Sequence, residues 1–297
     1  MKLIMKRGLP GSGKTTEARK LVDENGNLGR VNRDDLRQML FNGKWSGQKE
    51  GLVIEIEKSI VALLKDYGYG AVVDDTNLFR KHLDMWKQEA AKHNMCFEIS
   101  EPDATLNECL FRDASRVEQI GAAIIYRMAL FSGRITFAPE DELYLVDIDG
   151  TLADGRHREH LLRGEKKRWD AYYAQLHKDK PYEKTIEMVR SINRNRPNAR
   201  IIIVSGRPDT YQYETIEWLG VNGIPYHYIF MRPGNDKRED RIVKTEILSH
   251  LPKNQIKCVF DDRPSVCRAW EEHGLKTIRW YQGEIVPKSK YHEMKEF

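Results

Sequence analysis

The sequence predicts an α/β protein built from two parallel-sheet domains, and three observations predict it. Short apolar runs alternate with amphipathic stretches along most of the 297 residues, the rhythm that sets helices on both faces of a parallel sheet. That rhythm breaks over residues 132–142, where Gly133, Pro139 and several acidic residues intervene. On each side of the break an apolar run leads into a motif of its own: Gly8-Leu9-Pro10-Gly11-Ser12-Gly13-Lys14-Thr15 on the first side, Asp147-Ile148-Asp149-Gly150-Thr151 on the second. The expected domains are residues 1–137 and 138–297.

In the first half, residues 2–7 form a short apolar strand feeding the glycine-rich segment, and a helix should run from 14 to about 23. Residues 30–32 end a second strand, and helices are expected over 34–40 and, longer and amphipathic, over 51–67. Residues 71–73 read as a buried strand ending in Asp74-Asp75. A helix over about 80–94, a strand at 96–99, and helices near 105–118 and 122–130 complete the half. The second half restarts with a strand at 143–148, a helix from about 182, a strand at 200–204 and a helix over 209–222. Then come a strand at 226–231, a helix over 239–250, a strand at 256–260, a helix over 264–273 and a strand at 276–280. Residues 154–180 are an insertion directly behind the Asp motif.

Composition bounds the function. Hydrophobic residues at 40% supply ample core, and no run of 18 apolar residues suggests a membrane helix. The basic, apolar start is too short for a signal peptide and runs straight into the glycine motif, so it is expected to be mature β-strand. Four cysteines without metal-finger or C-x-x-C spacing suit reduced thiols in a cytoplasmic protein, or host cytoplasm for a viral one. The net charge of +4 permits a polyanionic substrate without demanding one. A homo-oligomer is left open.

The first motif fits the P-loop pattern. Its glycines let backbone N–H groups curl around phosphates, and the following helix offers its positive end. Gly8, Pro10, Gly11, Ser12, Gly13, Lys14, Thr15 and Thr16 are therefore the expected nucleotide-binding residues, with Lys14 at the β/γ-phosphates and Thr15 on Mg²⁺. In Val31-Asn32-Arg33-Asp34-Asp35-Leu36-Arg37, Asp34 stands past the end of the second strand, where such folds bind ligand. It is the candidate base for an attacking hydroxyl, with Arg37 holding the acceptor; the alternative is a simple helix N-cap. Asp75 is an acceptor-site or Walker-B-like carboxylate, or else the cap of the next helix. Arg112 and Arg116, four apart on one helix face, are candidates to close over the nucleotide, or solvated surface.

These pieces, in this order, resemble the 5′-kinase domain of the phage polynucleotide kinase/phosphatase family: GLPGSGKTT, VNRDDLR, DDTNL, and the arginine pair followed by Ile120-Gly121. The resemblance implies transfer of the ATP γ-phosphate to a 5′-hydroxyl of nucleic acid. Asp34 would be the general base, Arg37 the acceptor-phosphate contact, and Arg116 with Arg112 the lid on ATP.

Asp147-x-Asp149-Gly150-Thr151 after its apolar strand is similar to the first motif of the haloacid dehalogenase superfamily. Two carboxylates two residues apart can divide labour: one attacks phosphorus, the other protonates the leaving oxygen and later activates water, with Mg²⁺ reconciling carboxylate and phosphate charge. The resemblance implies further that Ser205 and Gly206 contact the phosphoryl group, that Lys244 neutralises the nucleophile, and that Asp261 and Asp262 join Asp147 and Asp149 at the metal. VSGRPD around Arg207, Met231-Arg232-Pro233 with Asp240-x-x-x-Lys244, and DDRPSV resemble the 3′-phosphatase domain of the same family, which makes Arg156 and Arg207 substrate-phosphate contacts. The expected architecture is thus a P-loop parallel-sheet kinase followed by a haloacid dehalogenase-like, Rossmannoid phosphatase with a small helical cap at 154–180.

That cap carries eight Lys+Arg against five Asp+Glu, together with Trp169, Tyr172 and Tyr173. It is either a strand-binding surface with base stacking or a small aromatic core with charges facing water. Together the two resemblances imply an end-healing enzyme for DNA or RNA that uses ATP or another nucleoside triphosphate, requires Mg²⁺, and acts before a ligase. The alternatives are a metabolite or nucleoside kinase fused to a nucleotidase, and a non-catalytic end-binding module.

Overall fold

The computed structural model describes residues 1–163 and 166–287. The chain forms two compact units, Met1–Ile120 and Gly121–Phe297. In the first, β1 (Lys2–Lys6) leads into α1 (Lys14–Glu24), followed by β2 (Leu28–Val31), α2 (Arg33–Phe41), α3 (Gly47–Asp66), β3 (Gly70–Asp74), α4 (Arg80–Lys92), β4 (Cys96–Ser100) and α5 (Leu106–Ala114). The strands pair in parallel in the order β2-β3-β1-β4. β3, Gly-Ala-Val-Val-Asp, is buried at every position, as a central strand covered on both faces must be. Leu3, Met5, Val31, Val53, Val73 and Trp86 pack the core on one face of this sheet.

The second unit opens with α6 (Ala122–Phe131), then β5 (Glu142–Val146), β6 (Ala153–Asp154), a 3₁₀ turn over Arg156–Leu162, α7 (Trp169–Tyr173), β7 (Lys180–Pro181) and α8 (Glu183–Asn195). It continues through β8 (Ala199–Pro208), α9 (Gln212–Val221), β9 (Tyr228–Arg232), α10 (Asp240–Leu248), β10 (Ile256–Asp261), α11 (Pro264–Glu272), β11 (Thr277–Tyr281) and β12 (Glu284–Ile285). The sheet order is β12-β11-β10-β5-β8-β9, parallel except for β12. The 154–180 insertion is held at its base by the small antiparallel pair β6–β7. Among the described residues, no helix is long and apolar enough to cross a membrane.

Three elements differ from the sequence expectation. α6 belongs by contact to the second unit, so the division falls at Ile120/Gly121, ahead of the expected 137/138. Its buried face (Ala123, Ile125, Ala129, Leu130) is apolar, Tyr126 meets Tyr228 edge-on at 5.5 Å, and Arg127 pairs with Asp209 at 2.7 Å. α5 stops at Ala114 and does not reach 118. Its buried Asp113 turns to the following segment, accepting the Ile120 N–H at 3.1 Å. β8 runs on to Pro208 past the expected end at 204, carrying Ser205, Gly206 and Arg207 as strand.

Candidate active sites

In the first unit the glycine motif wraps the end of β1. Gly11 has φ 81° and backs onto α5 so closely that a Cβ would collide with the Cys109 carbonyl; only glycine tolerates both demands. Lys14 is buried inside the loop, its Nζ donating to the Leu9 carbonyl at 2.7 Å. Burial pulls this lysine down to about 8, against the opposing pull of Asp74. Ser12 and Pro10 are buried in the loop, while Thr16 is exposed on the first turn of α1. Arg112 lies over the loop, Nη1 at 3.5 Å from the Gly11 and Ser12 carbonyls.

Arg116 lies beyond the end of α5, not on a shared helix face with Arg112, and faces Asp113 at 3.7 Å. It still exerts a charge on Lys14.

The carboxylate beside Thr15 is Asp74, not Asp75. Burial raises Asp74, while Arg30 and the Thr15 hydroxyl oppose the rise. One Asp74 oxygen accepts from Arg30 Nε at 2.8 Å; the other is buried without a hydrogen-bond partner among the described residues. An orphaned carboxylate oxygen next to a P-loop hydroxyl fits a hard divalent cation. Asp75 turns instead to Arg33, accepting its backbone N–H at 3.0 Å, and shares a buried cluster with Glu57, which burial and Asp75 push up to about 9.

The N-cap of α2 is Asn32, whose side chain accepts the Asp35 N–H at 3.0 Å. Asp34 is therefore not the cap; it is exposed on the first turn and bonded to Arg37. Arg37 is fixed from its other side by Glu50 at 2.7 Å.

The second site gathers at the C-terminal ends of β5, β8 and β10. Asp147 follows β5, and Lys244 of α10 reaches it at 2.7 Å and Asp261 at 2.8 Å. Asp147, Asp261 and Asp262 bring carboxylate oxygens within 4.8 Å of one another. Gly150, at φ 82°, makes this possible, because a Cβ there would occupy the place of the Asp262 carboxylate. Burial raises Asp147 against the pull of Lys244, and burial with Asp261 lifts Asp262 to about 7. Carboxylates crowded until they resist ionisation lack positive charge, and the donor set fits a divalent cation.

Asp149 lies outside that cluster. Arg207 holds it at 2.8 and 3.0 Å and Arg158 at 2.6 Å. Burial would raise its carboxyl, but the two arginines hold it well below the usual carboxylate range. Both arginines also bind the buried Asp179, Arg158 at 2.7 Å and Arg207 at 2.8 Å. Each keeps one buried Nη1 without a partner among the described residues. Ser205 is fully buried, its Oγ accepting the Arg207 N–H at 3.2 Å. Asp240 packs against Gly206, where a Cβ would collide with it, and meets Arg232 at 3.0 Å, Arg263 at 3.3 Å and Lys244 at 3.6 Å.

The resemblance implies Arg156 as a substrate-phosphate contact, but in the structure that arginine is exposed and paired with Asp154 at 2.5 Å. Arg158, two residues on, turns inward from the same 3₁₀ turn. Arg158 and Asp179 were the residues missed. Their one signal was charge at both ends of an insertion that starts and finishes beside the Asp motif.

Fold and sites define a P-loop nucleotide-binding unit joined to a haloacid dehalogenase-type phosphohydrolase unit. Residues 141–285 match the family described as the polynucleotide kinase PNKP phosphatase domain, and residues 3–128, running into α6, match the AAA domain. The second unit is thus similar to that phosphatase-domain family and the first to the AAA domains. A protein of Autographa californica nuclear polyhedrosis virus, named as a bifunctional polynucleotide kinase/RNA ligase, is 27% identical over 93% of this chain. The chain spans 42% of that relative's length. Among solved structures, a chain of the Pnkp1/Rnl/Hen1 RNA repair complex is 25% identical with a TM-score of 0.39, covering 94% of this chain and 95% of that one. A haloacid dehalogenase-like hydrolase of Streptococcus pneumoniae is 11% identical with a TM-score of 0.38, covering 52% and 91%. Both scores fall below 0.5, and the family likeness rests on the two domain matches.

Proposed function

We propose that this chain heals broken nucleic-acid ends, transferring the γ-phosphoryl group of ATP or another nucleoside triphosphate to a 5′-hydroxyl and removing a 3′-phosphate. The observation that carries the reading is the convergence of Asp147, Lys244 and the Asp261–Asp262 pair with two inward arginines, in a domain matched to the PNKP phosphatase family. A complete P-loop in the same chain supplies the second activity.

In the phosphatase unit the Asp147 carboxylate attacks phosphorus, the bond to the 3′-oxygen breaks, and an aspartyl phosphate forms. Lys244 holds Asp147 in place and offsets negative charge as phosphate approaches. Mg²⁺ held by Asp147, Asp261 and Asp262 would supply the remaining positive charge when bound. The free Nη1 groups of Arg158 and Arg207 can bind phosphoryl oxygens. As substrate draws on the two arginines, their hold on Asp149 weakens and its carboxyl rises toward a value at which it can carry a proton. Asp149 then protonates the leaving 3′-oxygen and takes the proton back from the water that hydrolyses the acyl phosphate.

In the kinase unit Lys14 and Arg112 neutralise the transferring phosphoryl group, with Arg116 closing from the segment after α5. Asp34 takes the proton of the 5′-hydroxyl, and Arg37, fixed by Glu50, positions the acceptor. Thr15 and Asp74 would hold the cation that accompanies the triphosphate.

The products, a 5′-phosphate and a 3′-hydroxyl, are the ends a ligase joins. The relative named as a kinase/RNA ligase supports that order and favours RNA as the polymer. Four cysteines outside any disulfide suit a reducing cytoplasm.

The test is one oligonucleotide bearing a 5′-hydroxyl and a 3′-phosphate, with γ-labelled ATP and Mg²⁺. Label gained at the 5′ end and phosphate lost from the 3′ end is the expected result. Turnover of free nucleosides and nucleotides with neither end changed would replace this reading with a metabolite kinase–nucleotidase.

A further inference from the structure

We propose that the cap insertion carries a base-stacking subsite, with Trp169 as the exposed platform for an unpaired nucleobase next to the 3′-phosphate; this rests on the phosphatase reading above. α7 is five residues long, holds Trp169, Tyr172 and Tyr173, and buries none of its residues. A helix that exists to close a small core would bury its aromatics. Here the tyrosines are partly covered and Trp169 remains 46% exposed.

The rings form a stepped stack. Trp169 lies nearly parallel to Tyr173, with centroids 5.8 Å apart and planes 19° apart. Tyr173 continues onto Tyr211 at 5.0 Å. Trp169, with Tyr172 edge-on to it at 5.9 Å, is the half-exposed outer end of that series, and a nucleobase laid on its exposed surface would extend the stack.

Two further observations select the occupant. The stack adjoins the catalytic pocket: the Arg158 guanidinium, which holds Asp149 at 2.6 Å, lies 3.9 Å from the Tyr172 ring centroid. Tyr173 is also within electrostatic reach of Asp149, Arg232 and Arg263. Immediately before Trp169 stand Lys166, Lys167 and Arg168, all exposed, with the Lys167 ammonium 5.8 Å from the Trp169 ring. Cations beside a half-exposed aromatic ring, next to a phosphate-monoester site, match the alternation of phosphate and base along a single strand. A peptide partner would not require the three cations, and a duplex end would not offer an unstacked base. The occupant is therefore the single-stranded 3′-terminal segment of the polynucleotide substrate.

The experiment measures 3′-phosphate release from a single-stranded oligonucleotide and hydrolysis of p-nitrophenyl phosphate by the full chain and by Trp169→Ala and Trp169→Phe. The expected result for Trp169→Ala is a KM for the oligonucleotide raised about 5- to 100-fold, the range of one lost base–aromatic stack. Its kcat and its p-nitrophenyl phosphate kinetics stay at wild-type values, and Trp169→Phe recovers most of the loss. Lys167→Ala should flatten the salt dependence of the oligonucleotide KM, by a slope of about 0.7 for one phosphate contact on a single strand. An unchanged oligonucleotide KM in Trp169→Ala would overturn the subsite. So would equal damage to both substrates with a lowered melting temperature, which would make the aromatics the packing of the cap. If the wild-type chain hydrolyses p-nitrophenyl phosphate but leaves 3′-phosphorylated oligonucleotides untouched, it is the polynucleotide reading itself that fails.

Discussion

Lys244 shows how much a single buried charge carries. It is 1% exposed and lies between two carboxylates that are themselves buried, Asp147 and Asp261. Removing one partner from a buried ion pair leaves the others uncompensated, at a cost of about 3–5 kcal/mol. Lys244→Ala, measured by urea unfolding in EDTA, is expected to lower the stability of the second unit by that order and leave the P-loop unit's transition in place. Its phosphatase rate should fall on the order of 100- to 1,000-fold, as for loss of one charge-stabilising group. Asp262 gives the opposite sign. Burial and Asp261 lift its carboxyl to about 7, from an ordinary value of about 3.9. A raised acid binds protons more tightly when folded, so stability is full below the unfolded value and drains away as pH rises through 7. In EDTA the urea midpoint of the second unit should therefore fall between about pH 4 and 8. Asp262→Asn should flatten that decline, and saturating Mg²⁺ should reverse it in the wild type. A midpoint independent of both pH and Mg²⁺ would show that the three carboxylates do not form a cation site. At this scale the sequence was legible where a motif sat at an element boundary, Lys14 opening α1, Asp147 directly following β5 and Asp261 closing β10, with Lys244 reaching the last two from α10. It was least legible for long-range ion pairs. Nothing local distinguishes Arg158 from Arg156, or Asp74 from Asp75; only the direction each side chain takes from its turn or strand separates them.

Elements were legible where periodicity was strong and ambiguous where an apolar helix could serve either neighbour. α6 is such a helix. Its sequence follows the first half without a break, and the Gly133–Pro139 region behind it looks like a linker, yet its apolar face is buried in the second unit. The Ala123 N–H donates to Gln212 Oε1 at 3.0 Å, and Ala123 joins the core with Tyr144, Val146 and Ile203. Burying one aliphatic side chain stabilises by about 1.5–3 kcal/mol, so losing Ile125 and Leu130 together with the Arg127–Asp209 pair should cost several. A fragment of residues 121–297 is expected to unfold cooperatively, while one beginning at 138 should melt well below it or aggregate through the uncovered face of β9. Equal melting temperatures for the two fragments would return the boundary to residue 137. The end of α5 teaches the same lesson in reverse. A helical pattern through residue 118 was reasonable by propensity, but buried Asp113 draws the chain off the helix axis and carries Arg116 with it.

Across the whole molecule, each unit holds its own sheet, core and carboxylate set, so the two chemistries have no residue in common. Lys14 and Thr15 lie in the first compact unit, and Asp147, Asp149 and Lys244 in the second. Lys14→Ala should reduce 5′-phosphorylation on the order of 100- to 1,000-fold and leave 3′-phosphate release at the wild-type rate. Asp147→Asn should do the reverse. The sharper experiment mixes the two variants in one tube with an oligonucleotide carrying a 5′-hydroxyl and a 3′-phosphate. If the sites are independent and the substrate dissociates between steps, the mixture should convert both ends, and a ligase added afterwards should circularise or join the product at the wild-type yield. If each variant works alone on its own end but the mixture fails to yield doubly healed product, the strand must pass from one site to the other within a single molecule. If either substitution removes both activities from a folded chain, the two crevices are one site and the division of labour argued from the motifs is wrong.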